Sequence, residues 1–248
     1  MPEVALLRPV VEPRRRVPRL VAGLVLCGLG IAFMVAADLG LAPWSVLDQG
    51  ISRHTGIPIG TVSIVVGAVV LSLWWPLHER PGLGTVLNVL LIGVTIDAAL
   101  LVLDTPGSLP ARLAYLGFGV LLWGPGTGLY IGAGLGPGPR DGLMTGLSAR
   151  GVGSIRLVRT GIELTALAAG WLLGGSVGLG TVVFAVTIGP LVQFFLPRLT
   201  VGAPRLADGD VAVDPLSGDP LPPDAPPGDP ATRGPLSGAP EVRPAVEG

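Results

Sequence analysis

The chain has no lysine; all sixteen of its basic residues are arginine. That absence removes two kinds of chemistry. A phosphate-binding loop of the G-x-x-x-x-G-K-[ST] type needs a lysine to reach the phosphates. A Schiff base needs a lysine amine. Cysteine is almost as scarce. Cys27 stands alone, which excludes a disulfide framework within the chain and a cysteine-rich zinc site. The two histidines, His54 and His78, fall in separate loops. They allow neither an H-E-x-x-H pair nor a locally assembled His-bearing triad. Charge is sparse as well, at 13% of residues against about 25% in a soluble domain. The formal net charge of −1 argues against a general nucleic-acid surface. The expectation is a non-enzyme with no cofactor, no metal and no nucleic-acid partner.

What the chain does have is apolar residues, glycine and proline. Of 248 residues, 49% are hydrophobic, 39 are glycine and 26 are proline. Membrane helices tolerate Gly and Pro better than soluble helices do. A spanning helix needs about 20 mostly apolar residues, and six stretches qualify: 20–37, 57–75, 83–103, 113–132, 155–173 and 177–196. The first is long and lacks a cleavage site, so it reads as a retained helix and not as a signal peptide. Arginines crowd residues 8–19 and recur at Arg80, Arg140, Arg150, Arg198 and Arg205. The opposite loops hold only Arg53 and Arg112. The positive-inside rule then predicts both termini in the cytoplasm. Trp44, Trp74, Trp75, Trp171 and Tyr130 fall near predicted span ends, where aromatic belts form. Residues 201–248 are rich in Pro, Asp and Gly, a composition that cannot bury enough apolar surface to offset chain entropy. The predicted organisation is a basic N-terminal segment (1–19), two three-span units (20–110 and 111–200) and a disordered cytoplasmic tail (201–248).

The two units are related in sequence. Shifted by 96 positions without a gap, residues 23–97 match residues 119–193 at 23 of 75 positions. The pentapeptide GLGTV occurs in register in both, at 82–86 and 178–182. An odd number of spans per unit makes the second unit enter the bilayer from the opposite side. The fold expected is therefore an all-α polytopic membrane protein of six transmembrane helices, built as two inverted three-helix repeats.

Each unit also carries a short interruption. DLGLAPWSVLDQGIS aligns with GLGPGPRDGLMTGLS. Gly40 and Gly136 break the chain, and Pro43 and Pro139 then start short helices, proline being favoured in a first helical turn. Ser45 and Asp141 fall in those first turns, where a hydroxyl or carboxylate suits the unpaired N–H groups. A helix of ~10 residues is about 15 Å long, half a bilayer, so each is expected to be re-entrant or interfacial. These two motifs, with GTV and TGLYIGAGLGPGPRDG, resemble the YczE-like group of the YczE/YyaS/YitT bacterial integral membrane proteins. The resemblance covers about residues 18–200. It implies a polytopic inner-membrane protein and no particular substrate or reaction. Where the family has Asp after Pro-Trp, this chain has Ser45.

Ionisable groups inside spans are costly and default to functional hypotheses. Asp97 lies two-thirds along the third span, and its repeat equivalent is Gln193 in the sixth; Asn88 lies nearer the inner end of the third. Two readings stand for Asp97 and Gln193: a polar site where the halves meet, or helix–helix hydrogen bonds that hold the bundle. Arg159 and Glu163 form an i, i+4 pair at the start of the fifth span. With Arg140 and Asp141 they make either an anion or proton site, or an internal salt-bridge cluster. Interrupted segments at matching places in two halves point to a transport site. The expected function is a small-solute transporter or permease, coupled to protons through Asp97 or Glu163. A non-transporting accessory protein of another membrane or secretory system is the alternative. The expected partners are the lipid bilayer and an unidentified small solute, with a homodimer or another protein partner left open.

Overall fold

A computed structural model describes residues 13–78 and 81–200. Residues 1–12, 79–80 and 201–248 lie outside it, and with them Arg80 and the expected tail. Every regular element among the described residues is helical: α1 (Pro13–Ala37), α2 (Pro43–Thr55), α3 (Ile59–Ser72), α4 (Trp74–Leu77), α5 (Leu83–Leu100), α6 (Leu109–Gly132), α7 (Pro139–Ala149), α8 (Ile155–Leu172) and α9 (Leu179–Leu199). Four stretches are long and apolar enough to cross a membrane: the α1 stretch from Arg16, the α3–α4 stretch, α5 and α9. α6 is longer than a bilayer requires, but six glycines and Pro125 dilute its hydropathy. α8 carries Arg156, Arg159 and Glu163 within 18 residues. The outward faces of the long helices hold Val65, Val94, Leu121, Val182 and Val186, all exposed, which suits lipid and not water.

α1 and α6 form the centre. They run antiparallel and touch at two glycine pairs. A Cβ on Gly23 would stand 2.7 Å from the Gly126 carbonyl oxygen, and one on Gly30 would stand 2.7 Å from that of Gly119. Only glycine lets the two backbones come this close. α5 flanks α1, and α9 flanks α6. At each end of the molecule a loop meets a helix start. The Gly180 N–H donates to the Leu39 carbonyl (2.8 Å), and the Gly84 N–H donates to the Leu135 carbonyl (2.8 Å). These residues are 96 positions apart in pairs, 39 with 135 and 84 with 180. Gly40 (φ 107°) and Gly136 (φ 125°) make the sharp turns beside those bonds in a conformation that other residues rarely adopt. Thr85 and Thr181 repeat the pattern. Each Oγ1 accepts from the N–H three residues back, at 3.1 Å from Gly82 and 3.2 Å from Gly178.

The correspondence fails at the outer helices. α3 lies against α5, where Gly60 and Gly93 bring the two backbones into contact. The equivalent residues are Arg156 and Gly189. α8 makes no comparable contact with α9, and Gly189 faces open space. α8 lies instead against α2, where Gly170 meets the backbone of Val46 and Leu47. The residue equivalent to Gly170 is Trp74, whose ring fills the space over Gly142 of α7. A glycine lets α8 close on α2, whereas the indole holds α3 and α4 off the backbone of α7.

The expected belt position is corrected for three aromatic residues. Trp74 is 2% exposed, and its indole N–H donates to the Pro139 carbonyl (2.9 Å). Trp44 and Tyr130 are buried too. These three rings pack or bond inside the bundle, and only Trp75 and Trp171 stand on the surface.

Candidate functional site

The two short helices form as expected from proline at the first helical position. They approach one another through their N-terminal halves. Arg140, the second residue of α7, places its guanidinium over the Trp44 ring of α2, 4.6 Å from the centroid. The same guanidinium lies 3.9 Å from Asp48 Oδ2, one turn further along α2. Trp44 and Arg140 are repeat equivalents, 96 positions apart, so the two halves meet here through the same position of each. Leu47 and Leu143, another equivalent pair, lie in the apolar cluster around them.

Asp48 is 2% exposed, and its Oδ1 has no hydrogen-bond partner among the described residues. Ser63 of α3 faces the same carboxylate. The Trp44 Nε1–H is likewise buried and unpartnered. Buried polar groups are nearly always paired, so an orphaned acceptor and an orphaned donor one helical turn apart mark this junction out from the rest of the interior.

Behind Arg140, Asp141 is engaged locally. Its Oδ2 accepts from the Gly138 N–H (3.2 Å) and from the Tyr130 hydroxyl (3.1 Å). The carboxylate therefore caps α7 as expected, with the positive helix end beside it. Ser45 has no equivalent role; it is buried, and no side chain caps α2. Thr85 Oγ1 donates to the Pro137 carbonyl (2.7 Å) and ties α5 to the turn before α7. Asn88 lies beside the same turn, where a Cβ on Gly138 would be 3.8 Å from its Nδ2.

The remaining expected site residues lie elsewhere. Asp97 and Gln193 are not brought together. Asp97 accepts from the Gly60 N–H (2.6 Å), the Thr61 N–H (2.8 Å) and the Thr61 hydroxyl (2.7 Å). It thus caps the N-terminus of α3 from α5. Gln193 is exposed on α9, and the α8 terminus it would have capped is bonded by its own Ser154. Arg159 and Glu163 pair with each other at 3.1 Å on the surface of α8. Neither takes part in the Arg140–Asp48 ion pair.

Two clefts border these groups. One of about 560 Å³ runs between α2, α7 and α8; Trp44 and Leu47 form its inner wall, and α8 lines it from Leu157 to Ala169. The other, of about 540 Å³, lies between α3 and α5 with Asp97 in its wall. Among the described residues no cluster of His, Cys, Asp and Glu could hold a metal ion.

Sequence reasoning placed Arg140 and Asp141 in the site but missed Asp48, Trp44 and Tyr130. The available signal was the i, i+4 spacing of Trp44 and Asp48 on a short helix, together with the repeat equivalence of Trp44 and Arg140.

Comparison with known proteins gives a consistent family. Residues 14–197 match the model of a family of unknown function, DUF6198. An uncharacterized protein of Haemophilus influenzae is 44% identical over 177 residues, covering 71% of this chain and 81% of that protein. The uncharacterized membrane protein YczE of Bacillus subtilis is 36% identical over 180 residues, covering 71% and 83%. YyaS of the same organism is 26% identical over 179 residues, covering 71% and 89%. No solved structure matches.

Proposed function

The chain belongs to the DUF6198 family of YczE-like membrane proteins, and on that footing we propose that it is a small-solute transporter built from two inverted repeats that give alternating access. In this reading six helical spans, α4 continuing α3 in the second, cross a bacterial plasma membrane and leave both termini in the cytoplasm. The reciprocal contacts support the inversion: Gly23 with Gly126 and Gly30 with Gly119 exchange under the 96-residue shift, as do the 39–180 and 135–84 hydrogen bonds. A pseudo-two-fold axis in the membrane plane would relate them. Only residues near such an axis touch their own equivalents, and Trp44 and Arg140 do so.

The observation that carries the reading is this junction: two short helices meet through an ion pair whose carboxylate is buried, with unpartnered polar atoms beside it. Discontinuous helices that end near the midplane form the binding sites of many inverted-repeat transporters. The unlike packing of α3 on α5 and of α8 on α2 adds support, because alternating access requires one unit to hold two arrangements. The test is a comparison of solute content in cells making the parent protein or Arg140→Gln, matched for membrane level. The expected result is at least one small solute whose cell-to-medium ratio depends on the parent and not on the variant. Identical profiles would overturn the proposal.

One feature favours a second reading, a non-transporting accessory protein. The cleft that reaches the junction is apolar along α8, a better seat for hydrophobic matter than for a polar solute. A stoichiometric protein partner together with unchanged solute profiles would favour that role.

A further inference from the structure

A buried carboxylate needs its charge met, and beside Asp48 at the short-helix junction it is not. Asp48 and Asp141 contribute two carboxylates against the single guanidinium of Arg140. Asp141 is accounted for, because the Gly138 N–H, the Tyr130 hydroxyl and the N-terminus of α7 all face it. Asp48 is not. Among the described residues its one paired cation is Arg140, at a distance beyond hydrogen-bonding range, and its Oδ1 meets no donor. Glu163 of α8 also faces Arg140, and its own partner is Arg159. α3 contributes Ser63 and no ionisable side chain. Arg53 and His54 sit at the far end of α2, where they bond the α8–α9 turn.

The occupant that would restore the balance must carry one positive charge. A metal ion needs several oxygen ligands at once, and here a single carboxylate oxygen is free. A proton needs only that oxygen. It would turn the orphaned acceptor into a donor facing Ser63 and leave the junction neutral. We propose that Asp48 is a proton-binding site of this protein, with Arg140 as the group that sets its proton affinity. The assignment rests on the transport reading only for its purpose, the coupling of solute movement to protons. The expected carriers Asp97 and Glu163 are already engaged, Asp97 by three donors and Glu163 by Arg159.

Infrared difference spectroscopy of the full chain in lipid vesicles, titrated with pH, tests this. A protonated carboxyl band should be present near neutral pH and disappear as the pH rises. It should be absent in Asp48→Asn and retained in Asp141→Asn. In Arg140→Gln the band should persist to higher pH, with proton affinity raised tenfold or more, because removing the cation disfavours the carboxylate. A parent protein without such a band near neutral pH would overturn the proposal, as would a band that survives Asp48→Asn or a titration unmoved in Arg140→Gln. Should Asp48→Asn fail to assemble, the parent and Arg140→Gln titrations decide alone. The two readings fail separately: a titrating band without solute movement removes transport and keeps the proton site, and solute movement without the band does the reverse.

Discussion

Replacing Asp97 separates a structural carboxylate from a transport carboxylate. Its two oxygens accept three hydrogen bonds, two of them from the second and third N–H groups of α3. Those N–H groups have no partner within their own helix. Loss of an N-cap costs about 0.5–2 kcal/mol, and hydrogen bonds to a charged group contribute about 1.5–3 kcal/mol each. The three bonds share one carboxylate at a half-buried position, so they do not add. Asp97→Ala should therefore destabilise the protein by about 2 kcal/mol. Asp97→Asn keeps one carbonyl oxygen for the helix end and should cost about 1 kcal/mol. At about 2–4 °C per kcal/mol for a chain of this size, thermal unfolding in detergent should show a fall of about 4–8 °C for Asp97→Ala and half that for Asp97→Asn. Solute profiles at matched protein levels should stay those of the parent in Asp97→Asn. An Asp97→Ala protein as stable as the parent would refute the cap. A stable Asp97→Asn protein that has lost activity would return Asp97 to the functional site.

Two further perturbations test the architecture. Gly93→Leu should cost about 3 kcal/mol by overpacking the α3–α5 crossing, whereas Gly189→Leu, at the equivalent but open position, should be neutral or stabilise by up to about 1 kcal/mol; equal thermal shifts would contradict the unlike packing of the two halves. Ile57→Cys and Val152→Cys, both at exposed loop positions, should react with an impermeant thiol reagent from opposite faces of sealed membranes. Labelling of both from one face would remove the inversion, and buried Cys27 keeps the background low.

Much of the architecture can be read from the chain because lipid imposes simple rules. Apolar length located most helix ends to within a few residues, although α1 starts at Pro13 and not at residue 20; the fourth expected span, 113–132, became α6 at Leu109–Gly132. The register of GLGTV anticipated that the starts of α5 and α9 play equivalent roles, and they bond equivalent loops. Proline and glycine located both short helices. What the chain did not disclose was pairing across the fold. Asp97 looked like an unmet charge because its partners are backbone N–H groups of another helix, which carry no sequence signal. Asp48 drew little notice because a carboxylate on a short helix beside a loop suggests exposure. The packing of α3 and α8 on α2 makes it a buried group, and no local sequence pattern announces that packing. Trp74 is a similar case, since a tryptophan at a span end fits the interface rule until a carbonyl on α7 is found to take its N–H.

The difference between the halves has a cause at two positions. Gly60 and Arg156 are equivalents, and so are Trp74 and Gly170. Glycine at 60 lets α3 seat on α5, whereas an arginine side chain at 156 obstructs the same seat for α8 on α9 and favours the membrane edge, where it can reach water. Glycine at 170 lets α8 close on α2, whereas tryptophan at 74 keeps α3 from closing equally on α7. Each substitution pushes its unit the same way, so this arrangement is the preferred one and not an arbitrary member of a symmetric pair. Gly189 still lacks a side chain although nothing approaches it, and an unneeded glycine within a helix costs about 1 kcal/mol relative to alanine. A use for it exists if α8 moves over to α9 as α3 sits on α5. That motion would draw α8 away from Trp44, widen the cleft behind it and open the Arg140–Asp48 pair to one side of the membrane. The proposed alternating access needs such an event, and α8, whose main contacts among the described residues are with α2 and α7, is the helix placed to perform it.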